Sequence, residues 1–248
     1  ENLLKMKGVS ILIETVVFDI DDTIYDQQEP FRKAVQKLFP LVSEEDMLPL
    51  YTRFRVHSDA NFNKVITQEW TLEYMRSHRI SQSLKDLDYP HITDEEALTF
   101  QEVYEAELDA ITMHQEVEKT LDFLKSKKVP VSIITNGPTD HQYKKILQLG
   151  LLNWVSEDNI IISQATGYEK PDVEIFELGK NQFSLNPENS LYVGDNFNND
   201  VIGSKRAAWQ SLWLNHRNRQ LPKGTSQIQD IELTSFDQLL PTFQHIFA

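Results

Sequence analysis

Short apolar runs that end in polar residues constrain the fold of this chain more than any other feature. The first run, residues 15–18, is apolar and β-branched and leads directly into Asp19. Such a run is typical of a strand buried in a parallel sheet. Similar runs recur at residues 129–134, 159–162, 191–193 and 211–214. Helical patterns lie between them, at residues 116–127, 141–149, 173–183 and 198–208. Alternating strands and helices predict an α/β fold with a parallel sheet.

The polar residues at the ends of these runs are candidates for one shared site. Asp19 follows the first run, Thr135 and Asn136 follow the second, and Asp195 follows the run at residues 191–193. In open α/β sheets, ligands bind beyond the carboxyl ends of the strands. We therefore expect these side chains to lie close together.

Residues 25–112 interrupt the alternation of strands and helices. This stretch is poor in strand patterns, and helix-start signals occur at Ser43 and Thr93. We therefore predict a core made of residues 1–24 and 113–248, with residues 25–112 forming a helical insert.

The charge balance argues against two classes of partner. The 248 residues include 38 acidic and 24 basic side chains, which give a formal net charge of -14. Nucleic acids and anionic membranes are bound mainly through Lys and Arg, so we expect neither as a partner. The chain has no cysteine, which excludes disulfides and Cys-ligated zinc and fits a cytoplasmic location.

Four aspartates could meet at the predicted site: Asp19, Asp21, Asp195 and Asp200. Two carboxylates about 4 Å apart repel each other by roughly 4 kcal/mol at an effective dielectric near 20. A hard divalent cation with oxygen ligands would offset this repulsion, so we predict Mg²⁺ as the cofactor. A calcium loop is the main alternative for the first two aspartates. It needs Gly and Glu at its sixth and twelfth positions, where this chain has Ile24 and Pro30.

Four motifs occur in an order that resembles the haloacid dehalogenase superfamily. They are Asp19-Ile20-Asp21-Asp22-Thr23, Thr135-Asn136-Gly137, Lys170-Pro171, and Gly194-Asp195 with Asn199-Asp200. The resemblance covers essentially the whole chain, and residues 135–151 are similar to the branch of pyrimidine 5′-nucleotidases and related small phosphatases. It implies a Rossmann-like three-layer core with a parallel sheet, plus an inserted all-α cap domain at residues 25–112.

The resemblance implies catalytic roles for five of these residues. Asp19 would be the nucleophile that forms an aspartyl phosphate, and Asp21 would act as general acid and then general base. Lys170, a third catalytic residue, would hold the oxygens of the phosphate together with Thr135 and Asn136.

The resemblance also implies a set of metal ligands. Mg²⁺ would be bound by Asp19, by Asp195 and by the backbone carbonyl of Asp21. Asp200 would bind the metal through water, or would orient Asp195 and Lys170.

The second aspartate indicates the type of reaction. Haloacid dehalogenases lack an aspartate at the position of Asp21, because a departing halide needs no proton. We therefore predict a Mg²⁺-dependent phosphohydrolase that cleaves a small phosphorylated metabolite, with nucleoside 5′-monophosphates among the candidates. Two alternatives stay open: phosphoryl transfer like that of β-phosphoglucomutase, and phosphate binding without catalysis.

The sequence leaves two further questions open. His141 and Gln142 follow the predicted phosphate-binding turn, and either the site or the helix surface would suit them. Both a monomer and a homodimer are compatible with the sequence.

Overall fold

The computed structural model describes residues 3–6 and 9–248. The chain forms two compact units. The first, called the core here, combines the chain up to Asp26 with Thr112–Ala248, and the second, the helical unit, is Gln27–Ile111. The sequence predicted the helical unit at residues 25–112.

The helical unit contains four long helices, α1 (Glu29–Leu38), α2 (Glu44–Ile66), α3 (Leu72–Lys85) and α4 (Asp94–Leu108). Ser43 and Thr93 cap the starts of α2 and α4, and Thr93 forms a reciprocal capping box with Glu96. The core of the unit is aromatic. Phe31 contacts the rings of Phe54 and Phe100, with centroids 4.9 and 5.7 Å apart. Such large apolar side chains account for most of the surface that four amphipathic helices bury.

The core contains eight strands in the described part of the chain. They are β1 (Leu3–Met6), β2 (Val9–Leu12), β3 (Thr15–Phe18), β4 (Val131–Thr135), β5 (Ile160–Ile162), β6 (Ser190–Gly194), β7 (Gln210–Leu214) and β8 (Ile231–Leu233). The first two form a separate antiparallel pair. The other six form one parallel sheet in the order β5-β4-β3-β6-β7-β8.

The helices of the core are α5 (Gln115–Ser126), α6 (Thr139–Gln148), α7 (Ser163–Thr166), α8 (Val173–Gln182), α9 (Gly203–Arg206) and α10 (Leu239–Ile246). Successive side chains of a strand point to opposite faces of a sheet. In β3, Val17 packs in one cluster with Phe176 of α8, whereas Phe18 stacks on Phe243 of α10. Helices therefore cover both faces of the sheet, and the predicted three-layer α/β fold is confirmed.

Three details differ from the sequence prediction. The antiparallel pair of β1 and β2 was not predicted. β8 was not predicted either, because it is three residues long and has Glu232 at its centre. The single helix predicted over residues 198–208 is a π-helix, Phe197–Ile202, followed by the short α9. π-Helical turns are rare and occur frequently at functional sites.

Among the described residues, no helix combines the length and the apolar character that crossing a bilayer requires.

Candidate active site

Three neighbouring strands bring polar residues to one edge of the sheet. β3 pairs in parallel with β4 on one side and with β6 on the other, so their carboxyl ends lie at the same edge. Asp19 follows β3, Thr135 ends β4, and Asp195 follows β6. The backbone N–H of Asp19 donates to the carbonyl of Val193 at 2.9 Å, which extends the strand pairing as far as this aspartate. All three residues therefore lie in one region, as expected from their positions at strand ends.

Asp19, Asp195 and Asp200 form a buried group of carboxylates, called the site cluster here. One carboxylate oxygen from each lies within 4.8 Å of the others. Lys170 joins two members, because its Nζ lies 2.6 Å from Oδ1 of Asp19 and 2.6 Å from Oδ1 of Asp200. The same Nζ donates to the hydroxyl of Tyr192 at 3.0 Å. The lysine of the Lys170-Pro171 motif is therefore part of the site.

Gly194 makes room for the Asp200 carboxylate. A Cβ atom at Gly194 would lie 2.3 Å from Oδ2 of Asp200, a distance that atoms do not tolerate. The same Oδ2 accepts a hydrogen bond from the backbone N–H of Asn196 at 2.9 Å. The glycine before Asp195 and the π-helix that carries Asp200 therefore place these two carboxylates side by side.

The site cluster carries more negative than positive charge. Burial, together with the neighbouring Asp200 charge, raises the pKa of Asp19 to about 7 despite the contact with Lys170. Burial raises the pKa of Asp195 well above its usual value, and the charges of Asp22 and Asp200 add to the effect. Burial on its own would lower the pKa of Lys170, but Asp19 and Asp200 raise it well above its usual value. Lys170 thus contacts two of the three carboxylates and cannot balance the charge of all of them.

This geometry fits a hard divalent cation. The site cluster offers one oxygen from each of three carboxylates, and oxygen is the ligand atom that Mg²⁺ prefers. Because the carboxylates are buried and short of positive charge, a bound dication would remove the electrostatic penalty that raises their pKa values. Asp19, Asp195 and Asp200 are therefore the residues that could hold a metal.

The Asp21 carboxylate lies outside the site cluster and has its own set of donors. Its Oδ1 accepts from Nζ of Lys145 at 2.6 Å and from the hydroxyl of Tyr25 at 2.6 Å. Its Oδ2 accepts from Nε2 of Gln142 at 2.9 Å. Burial on its own would raise the pKa of Asp21, but the contact with Lys145 and these hydrogen bonds lower it below its usual value. Asp19 and Asp21, which belong to the same motif, therefore occupy different electrostatic environments.

Thr135 and Asn136, the predicted phosphate-binding residues, make contacts within the site. Nδ2 of Asn136 donates to the backbone carbonyl of Lys170, and the backbone N–H of Lys170 donates to Oδ1 of Asn136, both at 2.9 Å. Oγ1 of Thr135 accepts from Nε2 of Gln142 at 2.7 Å. The Asn136 side chain thus fixes the segment that carries Lys170, and phosphate binding by these two residues stays a prediction.

A second group of charged residues, called the arginine brace here, consists of Asp22, Asp26, Arg217 and Arg219. Arg217 donates to both carboxylate oxygens of Asp22 at 2.6 Å and to Oδ1 of Asp26 at 2.6 Å. Arg219 donates to Oδ2 of Asp22 at 3.0 Å and also contacts Oδ2 of Asp195. Burial alone would raise the pKa of Asp22, but hydrogen bonds from His216 and Arg217 lower it strongly.

Sequence reasoning missed the arginines of the brace and Lys145. Arg217 and Arg219 follow β7, so the strand-end argument that found Asp19 could have included them. Lys145 lies three residues after Gln142 in α6, and residues with this spacing share one helix face. The buried Gln142, which the sequence left open between site and surface, lies in the site.

Comparison with known proteins identifies the family of the chain. A family model described as haloacid dehalogenase-like hydrolase matches residues 13–208. The glyceraldehyde 3-phosphate phosphatase of Methanothermobacter thermautotrophicus is 26% identical over 228 residues, which cover 92% of this chain and 97% of that protein. The pyrimidine 5′-nucleotidase YjjG of Escherichia coli is 33% identical over 113 residues, 44% of this chain and 49% of that protein.

Solved structures share the fold. The crystal structure of the HAD-hydrolase YfnB from Bacillus subtilis matches with a TM-score of 0.65 at 22% identity, covering 94% of this chain and 99% of that one. The chain belongs to the haloacid dehalogenase-like hydrolase family, as the four motifs predicted. Within the family, the enzyme class expected from Asp21, a phosphatase, agrees with the activity named for the two relatives above.

Proposed function

We propose that this protein is a Mg²⁺-dependent phosphatase that cleaves a small phosphate monoester through an aspartyl phosphate on Asp19. The observation that carries the proposal is the position of the Asp19 carboxylate. It lies at the end of the central strand β3, beside two further carboxylates and within 2.6 Å of Nζ of Lys170. A phosphoryl group bound at this edge of the sheet would lie close to the Asp19 nucleophile, the ammonium group of Lys170 and the polar residues at the strand ends.

In the first step of the proposed reaction, a carboxylate oxygen of Asp19 attacks phosphorus in line with the leaving oxygen. The bond between phosphorus and the leaving oxygen breaks, and that oxygen takes a proton from Asp21. The lowered pKa of Asp21 must therefore rise when the anionic phosphate binds beside it, since a neighbouring negative charge favours the protonated carboxyl. Lys170 holds Asp19 in place and balances negative charge on the phosphoryl oxygens.

In the second step, water attacks the phosphorus of the aspartyl phosphate and gives a proton to Asp21. The bond between phosphorus and Asp19 breaks, which releases inorganic phosphate and restores both carboxyl groups. Asp21 therefore ends the cycle with the proton that it lost in the first step.

Asp19, Asp195 and Asp200 would hold the metal, and the backbone carbonyl of Asp21 is expected as a further ligand. When bound, Mg²⁺ supplies positive charge that lets an anionic nucleophile and an anionic phosphate approach each other. Asp200 also orients the lysine, since its Oδ1 accepts from Nζ of Lys170.

The names of the relatives guide the choice of substrates to test. The relative matched over nearly its whole length is named for glyceraldehyde 3-phosphate, and the one matched over about half of its length is named for pyrimidine 5′-nucleotides. Both names describe small phosphate monoesters, which is the substrate class that we propose, with nucleoside 5′-monophosphates among its members. The assignment of the helical unit as a cap that selects the leaving group belongs to the same proposal and rests on its place in the sequence.

An activity screen tests the proposal. Purified protein is stripped of metal with a chelator, Mg²⁺ is restored, and phosphate release is measured from p-nitrophenyl phosphate, triose phosphates, nucleoside 5′-monophosphates and phosphoserine. We expect Mg²⁺-dependent release from at least one ester. Absence of turnover from every ester would overturn the proposal, and conversion of β-glucose 1-phosphate to glucose 6-phosphate would point to phosphoryl transfer.

A further inference from the structure

Asp21 is held by side chains that no part of the proposed reaction uses. Lys145 and Tyr25 both reach its Oδ1 at 2.6 Å, and Gln142 reaches its Oδ2 at 2.9 Å. Lys145 and Gln142 belong to the same helix, α6, more than 120 residues after Asp21 in the chain. The same face of α6 thus places an ammonium group at one oxygen of the Asp21 carboxylate and an amide group at the other.

Lys145 is placed unlike an ordinary surface lysine. Its side chain is 11% exposed, whereas the neighbouring Lys144 is exposed. Burying an ammonium group is costly unless a partner balances its charge, and the carboxylate at Oδ1 of Asp21 does so. Lys145 therefore contacts Asp21, the carboxyl group that donates and accepts protons in the proposed reaction.

Gln142 links Asp21 to the turn after β4. Its Nε2 lies within hydrogen-bonding distance of Oδ2 of Asp21, Oγ1 of Thr135 at 2.7 Å and the carbonyl of Asn136 at 2.6 Å. Gly137 permits this arrangement, because its φ is +141° and a Cβ there would lie 3.0 Å from Cγ of Gln142. The position of Asp21 is therefore tied to the turn expected to bind the phosphate.

We propose that Lys145 and Gln142 are positioning residues for Asp21, which hold its two carboxylate oxygens in place for proton exchange with the leaving oxygen. This inference rests on the proposed function. Lys145 fixes Oδ1 at 2.6 Å, and Gln142 fixes Oδ2 at 2.9 Å and ties it to the turn after β4. A proton donor that is misplaced by even about 1 Å loses much of its effect, so side chains that hold Asp21 in place matter for the rate.

If Lys145 acts through Asp21, the activity lost on removing Lys145 should depend on how strongly the leaving group needs a proton. p-Nitrophenolate departs readily without a proton, whereas phenolate, with a pKa of about 10, is a poorer leaving group and gains more from an acid. The two esters are similar in shape, so their ratio of kcat/KM reports on acid catalysis. kcat/KM includes the step in which the leaving group departs, whatever the rate of the later hydrolysis.

The experiment compares kcat/KM for p-nitrophenyl phosphate and phenyl phosphate, with Mg²⁺ present, in the wild type, Lys145→Met, Asp21→Asn and the double variant. We expect Lys145→Met to lose roughly tenfold more activity on phenyl phosphate than on p-nitrophenyl phosphate, a fraction of the effect of a general acid. In the Asp21→Asn background, the lysine substitution should cause little further loss, because it acts through Asp21. Lys145→Arg should restore part of the activity on phenyl phosphate.

The matched control is Lys144→Met, which removes the adjacent exposed lysine and should leave the ratio of the two esters unchanged. Gln142→Leu is the second test if Lys145→Met fails to fold, and it should change the ratio in the same direction. An equal loss on both esters, or a full additional loss in the double variant, would overturn the inference. Failure of the proposed function is distinguishable, since the wild type would then hydrolyse neither ester.

Discussion

Asp19 of the site cluster and Asp22 of the arginine brace belong to one short motif, but the carboxylates of the two groups have opposite electrostatic environments. In the site cluster, one lysine contacts Asp19 and Asp200, and burial raises the pKa values of Asp19 and Asp195. In the brace, Arg217 gives Asp22 two hydrogen bonds at 2.6 Å, and the pKa of Asp22 is lowered.

The difference indicates what each group of carboxylates does. A carboxylate that is fully paired with arginine is a structural anchor, because its charge is already compensated. Buried carboxylates with too few cations are in an unfavourable state that a metal ion or a reaction can relieve. We infer that the brace fixes the loop after β3, whereas the site cluster is prepared for a cation and a phosphate.

The largest effect is expected from Asp19→Asn, which removes the proposed nucleophile. Turnover of p-nitrophenyl phosphate should fall to less than about a thousandth of the wild-type value. The fold should persist, because the change also removes one of the crowded buried charges of the site cluster. Asp158→Asn, at an exposed position of the core, is the control. Residual activity above that level would refute the assignment of Asp19.

A change in the brace should affect stability instead. Arg217→Met leaves Asp22 without its two closest hydrogen bonds, and breaking a buried ion pair costs about 3 to 5 kcal/mol of the free energy of unfolding. Urea unfolding measures the loss, and the exposed Arg206→Met serves as control. If Arg217→Met is as stable as the wild type, the brace is not a structural anchor.

The response to Mg²⁺ should distinguish the site cluster from the arginine brace directly. Mg²⁺ at one hundred times its dissociation constant should raise the free energy of unfolding by about 2.7 kcal/mol, seen as a higher Tm. Asp200→Asn should reduce this gain by weakening the site, whereas Asp26→Asn in the brace should preserve it. An equal response of both variants to Mg²⁺ would remove the distinction between the two groups.

The smallest effect on stability is expected for Arg219, which contacts Asp22 in the arginine brace and Asp195 in the site cluster. Its side chain is 43% exposed, so Arg219→Gln should change the free energy of unfolding by less than about 1 kcal/mol. Because Arg219 contacts the same carboxylate of Asp195 that would bind metal, its removal should tighten Mg²⁺ binding measured by calorimetry. Weaker binding would mean that Arg219 supports the metal site instead of competing with the cation.

Much of the fold and the location of the site could be predicted from local sequence. Buried parallel strands are continuous apolar runs, and their ends identified the positions of Asp19, Thr135 and Asp195. β8 could not be identified in this way, because a three-residue strand at the sheet edge carries too short a pattern.

The partners of Asp21 could not be predicted, for a physical reason. A lysine on an amphipathic helix has the same local pattern whether it faces water or a carboxylate. Lys145 meets Asp21 across more than 120 residues of chain, and only the packing of α6 against the sheet brings them together. The division between the site cluster and the brace was hidden for the same reason, since it depends on which cations each aspartate meets.

The central claim, a covalent phosphoryl group on Asp19, can be tested directly by trapping. The enzyme is mixed with Mg²⁺ and a turned-over phosphate ester, quenched in acid, reduced with borohydride and analysed by peptide mass spectrometry. Borohydride converts an acyl phosphate to an alcohol, so we predict reduction at residue 19 and at no other aspartate, dependent on substrate. Reduction at a different aspartate, or rapid turnover with residue 19 never modified, would contradict the account.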